Sequence, residues 1–336
     1  MTRLGSLRRN SFIVLGRAGM DLYADPPGTR AEEATRFYAC LGGSAGNIAA
    51  GIARLEGRAA LLGAVSDDAV GRFTLNALRG YDIDARHVAI VGGQRRNSLA
   101  VVETRLENTQ SVIYRNDAAD FALDAAQLAQ VDWPSYGALI VTGTAFAAEP
   151  SRGAAFAAIE RARDAEVCLI LDVDYRPYSW SADSEAATVY GKAAARCDIV
   201  IGNDDEFGVM AGSRDAGLAL ARRLSQSTAE IVIYKMGAKG AVTFAAGQTL
   251  QTGTFAVAAL KPTGAGDAFM AGFVCALARG MALQDCLKQG SAAAALVVTR
   301  VGCAPAMPTR AELDGFVASH AAGPLSMDTD HAYSAL

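Results

Sequence analysis

KPTGAGDAFMAG, residues 261–272, places an acid where anions would be expected to bind. Thr263 to Gly266 read as a tight turn entering an apolar helix, because Phe269, Phe273 and Leu277 recur at i, i+4 and i+8 and Gly280 ends the run. The first turn of a helix carries unpaired N–H groups and the positive end of the dipole. Asp267 falls in that turn. Dipole complementation, about 0.3–1 kcal/mol, explains an acid there. It does not explain Gly264 and Gly266 just before it, which let backbone amides approach a ligand closely. Amides that face an anion, next to a carboxylate that faces a hydroxyl, suit phosphoryl transfer.

Upstream of this stretch, short apolar runs alternate with amphipathic segments: FIVLG (12–16), AALLGAV (59–65), ALIVTG (138–143), VCLILD (167–172), DIVIG (198–202) and EIVIYKMG (230–237). Continuous apolar strands separated by helices predict an α/β fold with a mostly parallel sheet covered on both faces. Ser66 is the expected cap of a helix ending at Gly80, and further helices are expected after Pro150, over 182–196 and over 216–223. Beyond Lys261 the chain is expected to be helical over 267–280, 284–300 and 308–319. Two regions break the rhythm. Residues 17–40 lack helical periodicity, and SLAVVETRLENTQSVIYR (98–115) alternates like a β-hairpin turning at Glu107-Asn108. Together they predict a small antiparallel lid on one edge of the core.

The chain of 336 residues, half of them hydrophobic, is long enough for one large α/β domain, and its net charge of −4 provides no field for nucleic acid or an anionic membrane. A small-molecule partner is expected. Six scattered cysteines form no C-x-x-C pair and read as reduced structural thiols. The apolar run near the N-terminus is too short for a signal sequence, and no run approaches membrane-spanning length, so a cytoplasmic protein is expected. With three histidines, two of them in the polar tail, a general base is expected to be a carboxylate or a lysine. Neither G-x-x-x-x-G-K-[ST] nor a G-x-G-x-x-G after the first strand occurs, which argues against P-loop enzymes and Rossmann dehydrogenases.

TGAGDAFMAGF (263–273) resembles the C-terminal signature of the ribokinase-type carbohydrate kinases, the PfkB family, and GGSAGNIAAGIARLEGRAALLGAVSDDAVG (42–71) resembles their N-terminal signature. The resemblance covers about residues 12–318 and implies a ribokinase-like (Rossmann-like) core with a β-lid over the sugar site. One kinase domain is expected over 1–323, with lid segments at about 17–40 and 98–118 and a poorly ordered tail over 324–336. The similarity implies that Asp267 is the catalytic base, that the amides of Gly264, Ala265 and Gly266 form the anion hole, and that ATP and Mg2+ take part. Asn203 and Glu206 match an N-x-x-E motif associated with magnesium and phosphate, although Asn203 followed by Glu206 also reads as a capping box. Lys235, Gly237 and Gly240 match the nucleotide side. No residue is assigned as a direct metal ligand.

On the acceptor side, Asp21, Gly42, Gly43 and Asn47 match sugar-binding positions. By themselves Asp21 reads as a turn residue and Asn47 as a helix start. YRNDAAD (114–120) and LDVDYRPYSW (171–180) supply Arg115 and Arg176, two charged forks suited to a carboxylate or a phosphate. Within the family these stretches resemble those of kinases for keto-deoxy sugar acids, which implies transfer to a 6-hydroxyl. Kinases for 2-keto-3-deoxygluconate, fructose or ribose stay open, as does a non-catalytic sugar-binding protein on the same scaffold. Lid strands imply a possible homodimer. Lys261 and Pro262 depart from an Asp-Thr pair common in ribokinases that helps to hold a monovalent cation, which predicts weak or absent potassium activation.

Overall fold

The computed structural model describes residues 3–323; the tail expectation for 324–336 lies outside them. In chain order the elements are β1 (Ser11–Leu15), β2 (Gly19–Asp25), β3 (Arg36–Gly42), α1 (Ser44–Arg54), β4 (Arg58–Ser66), α2 (Ala69–Gly80), β5 (Val88–Val91), β6 (Leu99–Val102), β7 (Ser111–Tyr114) and β8 (Ala138–Thr142). There follow α3 (Ser151–Asp164), β9 (Cys168–Asp172), α4 (Asp183–Ala194), β10 (Ile199–Asn203), α5 (Asp204–Ala211), α6 (Gly217–Ser225) and β11 (Ile231–Lys235). The last are β12 (Ala241–Ala245), β13 (Gln248–Thr252), α7 (Ala265–Ala278), α8 (Leu283–Val298) and α9 (Arg310–Ser319).

Nine strands form one sheet in the order β13-β12-β11-β10-β9-β8-β1-β4-β5. From β11 to β5 the pairs are parallel, while β12 and β13 join antiparallel at one edge. Burial on both faces explains why the strands read as unbroken apolar runs. Alternation along β1 shows the division: Phe12 and Val14 join the layer packed on α1, α7 and α8, whereas Ile13 and Leu15 join the layer of α3 and α4. The chain leaves β1 toward β4 and β5, then returns to β8 on the other side of β1. That reversal marks the carboxyl ends of the central strands as the ligand-binding edge of an open α/β sheet.

The lid is a separate four-stranded sheet, β3-β2-β6-β7, and not wholly antiparallel as expected, because β2 and β6 pair parallel. Its β6–β7 hairpin matches the expected one, with Asn108 at positive φ in the turn. Tyr23, Cys40, Ala100, Val102 and Cys303 form its small core. One expected helix start needs correction: α2 is capped by Asp68, whose Oδ1 accepts from the amides of Val70 (2.9 Å) and Gly71 (3.0 Å). Ser66 is one step removed, donating to Asp68 Oδ1 at 2.8 Å. A carboxylate accepts two amides at once and gains from the dipole, so it takes the cap from a nearby hydroxyl.

Candidate active site

Two helix N-termini meet at the carboxyl edge of the sheet. Each follows a glycine with left-handed φ, Gly43 (87°) before α1 and Gly264 (86°) before α7. At Gly264 a side chain would also collide with Cys303, since a Cβ there would lie 2.7 Å from Sγ. From α1, Asn47 donates through Nδ2 to Asp267 Oδ2 at 2.8 Å. Asp267 keeps some surface open to the cleft, yet it stands on a floor crowded by protein, and burial pushes its carboxyl from near 3.8 up to about 7. Asp174 adds to that rise, while the Asn47 bond, Arg176 and Lys235 oppose it.

The anion-attracting mouth of α7 is bordered by β10 and β11. The Lys235 ammonium at the end of β11 lies 3.3 Å from where a Cβ on Gly266 would stand, so it overhangs the first turn of α7. Gly237 and Gly240 form the turn beyond it. Asn203 and Glu206 make the capping box of α5: the Asn203 side chain accepts from the Glu206 amide at 2.8 Å, and Glu206 Oε2 accepts from the Asn203 amide at 2.6 Å. Glu206 Oε1 accepts from Tyr175 N at 3.3 Å, so this buried carboxylate also ties α5 to the loop after β9. Burial raises its pKa and, far more, that of Asp172 at the end of β9; Lys235 opposes both shifts.

The acceptor side lies under the lid. Asp21 on β2 is buried with its carboxylate in the space a Gly42 side chain would fill, 1.9–2.2 Å from an added Cβ. Gly42 is therefore required by the carboxylate above it. Burial raises the Asp21 pKa, opposed by Arg17 and Lys261. Arg115 is buried, with Nε and Nη2 on Asp120 Oδ2 (3.0 and 2.5 Å), Nη2 on Thr144 O (2.9 Å) and the guanidinium 4.1 Å above the Phe121 ring. Arg176 is partly open and pairs with buried Asp174 at 2.7 Å. Among the described residues, five buried polar atoms here have no protein partner: Asp21 Oδ1, Asn47 Oδ1, Arg115 Nη1, Asp120 Oδ1 and Asp174 Oδ2. Unpaired groups of this kind are costly in a finished core and suit a polar ligand.

Lys261 is fully buried, and its ammonium donates to Thr263 O at 2.5 Å and Val297 O at 3.4 Å. It pins the turn that leads into α7. Desolvation lowers its pKa, and Cys303, Asp267, Cys40 and Asp21 hold it up.

Asp267, Asn47, Gly264, Ala265, Gly266, Lys235, Glu206 and Arg176 thus share one mouth, with Asp21, Gly42, Gly43 and Arg115 beside it. Gly237 and Gly240 sit further out in their turn. The sequence reading overlooked Arg17 and Asp172. Asp172 closes an apolar run and looks like a strand terminator, while Arg17 follows one and looks solvated; their hydrophobic neighbours were the available signal. Among the described residues no group of three or more His, Cys, Asp or Glu is arranged to hold a metal alone.

The sequence matches the pfkB family carbohydrate kinases over residues 9–310. A 5-dehydro-2-deoxygluconokinase of Photobacterium profundum is 39% identical over 311 residues, covering 91% of this chain and 94% of the relative. One from Geobacillus kaustophilus is 34% identical over 317 residues, with 93% and 95% covered. Among solved structures, a fructokinase of Vibrio cholerae with fructose, ADP and potassium bound superposes with a TM-score of 0.79 at 28% identity, covering 91% of this chain and 98% of that one. A Xylella fastidiosa fructokinase with bound ATP gives 0.83 at 21% identity over 92% and 98%, a likeness of fold. The match spans nearly the whole chain and takes in both glycine-led helix starts, and the chain belongs to the pfkB family of carbohydrate kinases.

Proposed function

We propose that this kinase transfers the γ-phosphoryl group of ATP to the 6-hydroxyl of 5-dehydro-2-deoxy-D-gluconate, in the breakdown of inositol. The observation that carries the reading is Asp267: a carboxyl held near neutrality at the mouth of α7, oriented by Asn47. In the proposed reaction Asp267 accepts the proton of the sugar hydroxyl as its oxygen bonds to the γ-phosphorus. The bond from that phosphorus to the β,γ-bridging oxygen breaks, and ADP leaves with the electron pair. The amides of Gly264, Ala265 and Gly266 stabilise charge on the transferring group, with Lys235 above them. Asp21, Asn47 and the Gly42-Gly43 backbone hold sugar hydroxyls, and the free Oδ1 atoms of Asp21 and Asn47 are acceptors waiting for such donors.

Magnesium would enter with the nucleotide phosphates and neutralise their charge, facing Glu206 and Asp172. Arg115 and Arg176 border the acceptor cleft and suit a sugar acid over fructose or ribose, with Arg176 toward the transferring phosphate. Residues 1–323 act as one kinase unit whose lid bears exposed Phe37 and Tyr38 on edge strand β3 and Val112 and Tyr114 on edge strand β7, surfaces suited to a second copy of the chain. No helix among the described residues is long and apolar enough to cross a membrane, and the six cysteines are free and buried, in keeping with a cytoplasmic enzyme.

The test is ADP release, coupled to a spectroscopic readout, with 5-dehydro-2-deoxygluconate, 2-keto-3-deoxygluconate, fructose and ribose at equal concentration. Highest kcat/KM on the first supports the proposal. Highest kcat/KM on 2-keto-3-deoxygluconate or a neutral sugar reassigns the substrate, and thermal stabilisation by the acid without ADP production indicates a binding protein.

A further inference from the structure

Three arginines border the acceptor cleft, and two are already neutralised: Arg115 by Asp120 and Arg176 by Asp174. The third, Arg17, lies two residues beyond the end of β1. It is only 6% exposed, and its one side-chain hydrogen bond is from Nη1 to the neutral Ser98 Oγ at 3.1 Å. Among the described residues no carboxylate lies within ion-pair distance of it. Asp21 feels its charge, but from beyond ion-pair distance. A buried guanidinium without an anionic partner is expensive, and the fork left over beyond Ser98 is shaped for a carboxylate. The broad hollow at the amino ends of the strands offers no comparable feature, because its Arg3, Arg163 and Arg196 are all paired with Asp198 or Glu160.

We infer that Arg17 is the residue that reads the carboxylate of the substrate, supplying the charge, while Arg115 contributes only the free Nη1 donor of an already neutralised pair. The inference rests on the sugar-acid reading above and deepens it: specificity for the acid resides at the end of β1, under the lid, and not in the lid loop that bears Arg115.

The test compares kcat/KM for 5-dehydro-2-deoxygluconate and for its neutral primary amide in the wild type, Arg17→Gln, Arg17→Lys and Arg115→Gln proteins, with ADP affinity as a check on folding. Wild type should prefer the acid by about 10²-fold to 10³-fold, the usual scale for a desolvated charge pair. In Arg17→Gln this preference should fall below about tenfold, mainly through KM for the acid, with a much smaller loss on the amide; Arg17→Lys should lie between. Equal losses on acid and amide with ADP affinity kept would mean that Arg17 only ties β1 to Ser98, and would overturn the inference. So would a preference kept in Arg17→Gln and lost in Arg115→Gln. If wild type itself does not favour the acid, the sugar-acid reading fails first, and the two failures are told apart by the wild-type ratio alone.

Discussion

Asn47 Nδ2 lies 2.8 Å from Asp267 Oδ2, joining the first turns of two helices through residues 220 apart in the chain. Each helix follows a glycine at positive φ, Gly43 before α1 and Gly264 before α7. A donor on the ionised carboxylate favours the charged form. Asn47→Leu should therefore raise the apparent pKa of the acid limb in the kcat/KM profile by roughly half a unit to one unit and lower kcat/KM for the sugar. An unmoved acid limb would show that the contact does not tune the base.

With its carboxyl near 7, Asp267 is protonated at lower pH and cannot accept the hydroxyl proton. The kcat/KM should fall about tenfold per pH unit below that value. The same shift sets a stability slope. The folded chain binds a proton that the unfolded chain, titrating near 3.8, has released, so the stability of the ligand-free protein should fall as pH rises from about 4 to 7. Asp267→Asn removes that term. Its thermal midpoint should exceed the wild type's at pH 8 and converge with it near pH 4.

Lys261 puts an ammonium beneath the turn that enters α7, bonded to Thr263 O and Val297 O. Turnover in sodium and in potassium buffers should agree within about twofold, since one fixed charge already fills this electrostatic role. A several-fold rise in potassium would contradict it. Lys261→Met should destabilise the fold by about 1–3 kcal/mol, the cost of leaving buried acceptors unpaired, measurable by urea unfolding.

Gly264 combines left-handed φ with close contact to Cys303. Gly264→Ala should cost about 1–3 kcal/mol of stability and displace the amides of the α7 mouth, so turnover should fall more than nucleotide affinity. A variant as active as wild type would show that the turn tolerates another geometry.

The sheet was legible because strands buried on both faces leave unbroken apolar runs such as VCLILD, bounded by helical periodicity. The lid hairpin was legible from alternation, and the α5 capping box from Asn203 and Glu206 alone. Contacts that depend on register or on a rival group were not. Asp68 displaced Ser66 at the start of α2 by a choice between neighbouring acceptors that spacing does not decide. Asp172 joins the site only because β9 lies beside β10, aligning Asp172 with Ile201 and Thr142. Arg17 gains its setting from Ser98, which is 81 residues away, and the burial of Arg115 depends on Asp120 and on the Thr144 carbonyl from another strand end.

Whether Asp267 is the general base of a sugar-acid kinase is decided by steady-state turnover of Asp267→Asn measured alongside its affinity for ADP. The kcat should fall by about 10²–10⁴-fold with ADP affinity within a few-fold of wild type. Turnover within a few-fold of wild type would contradict it.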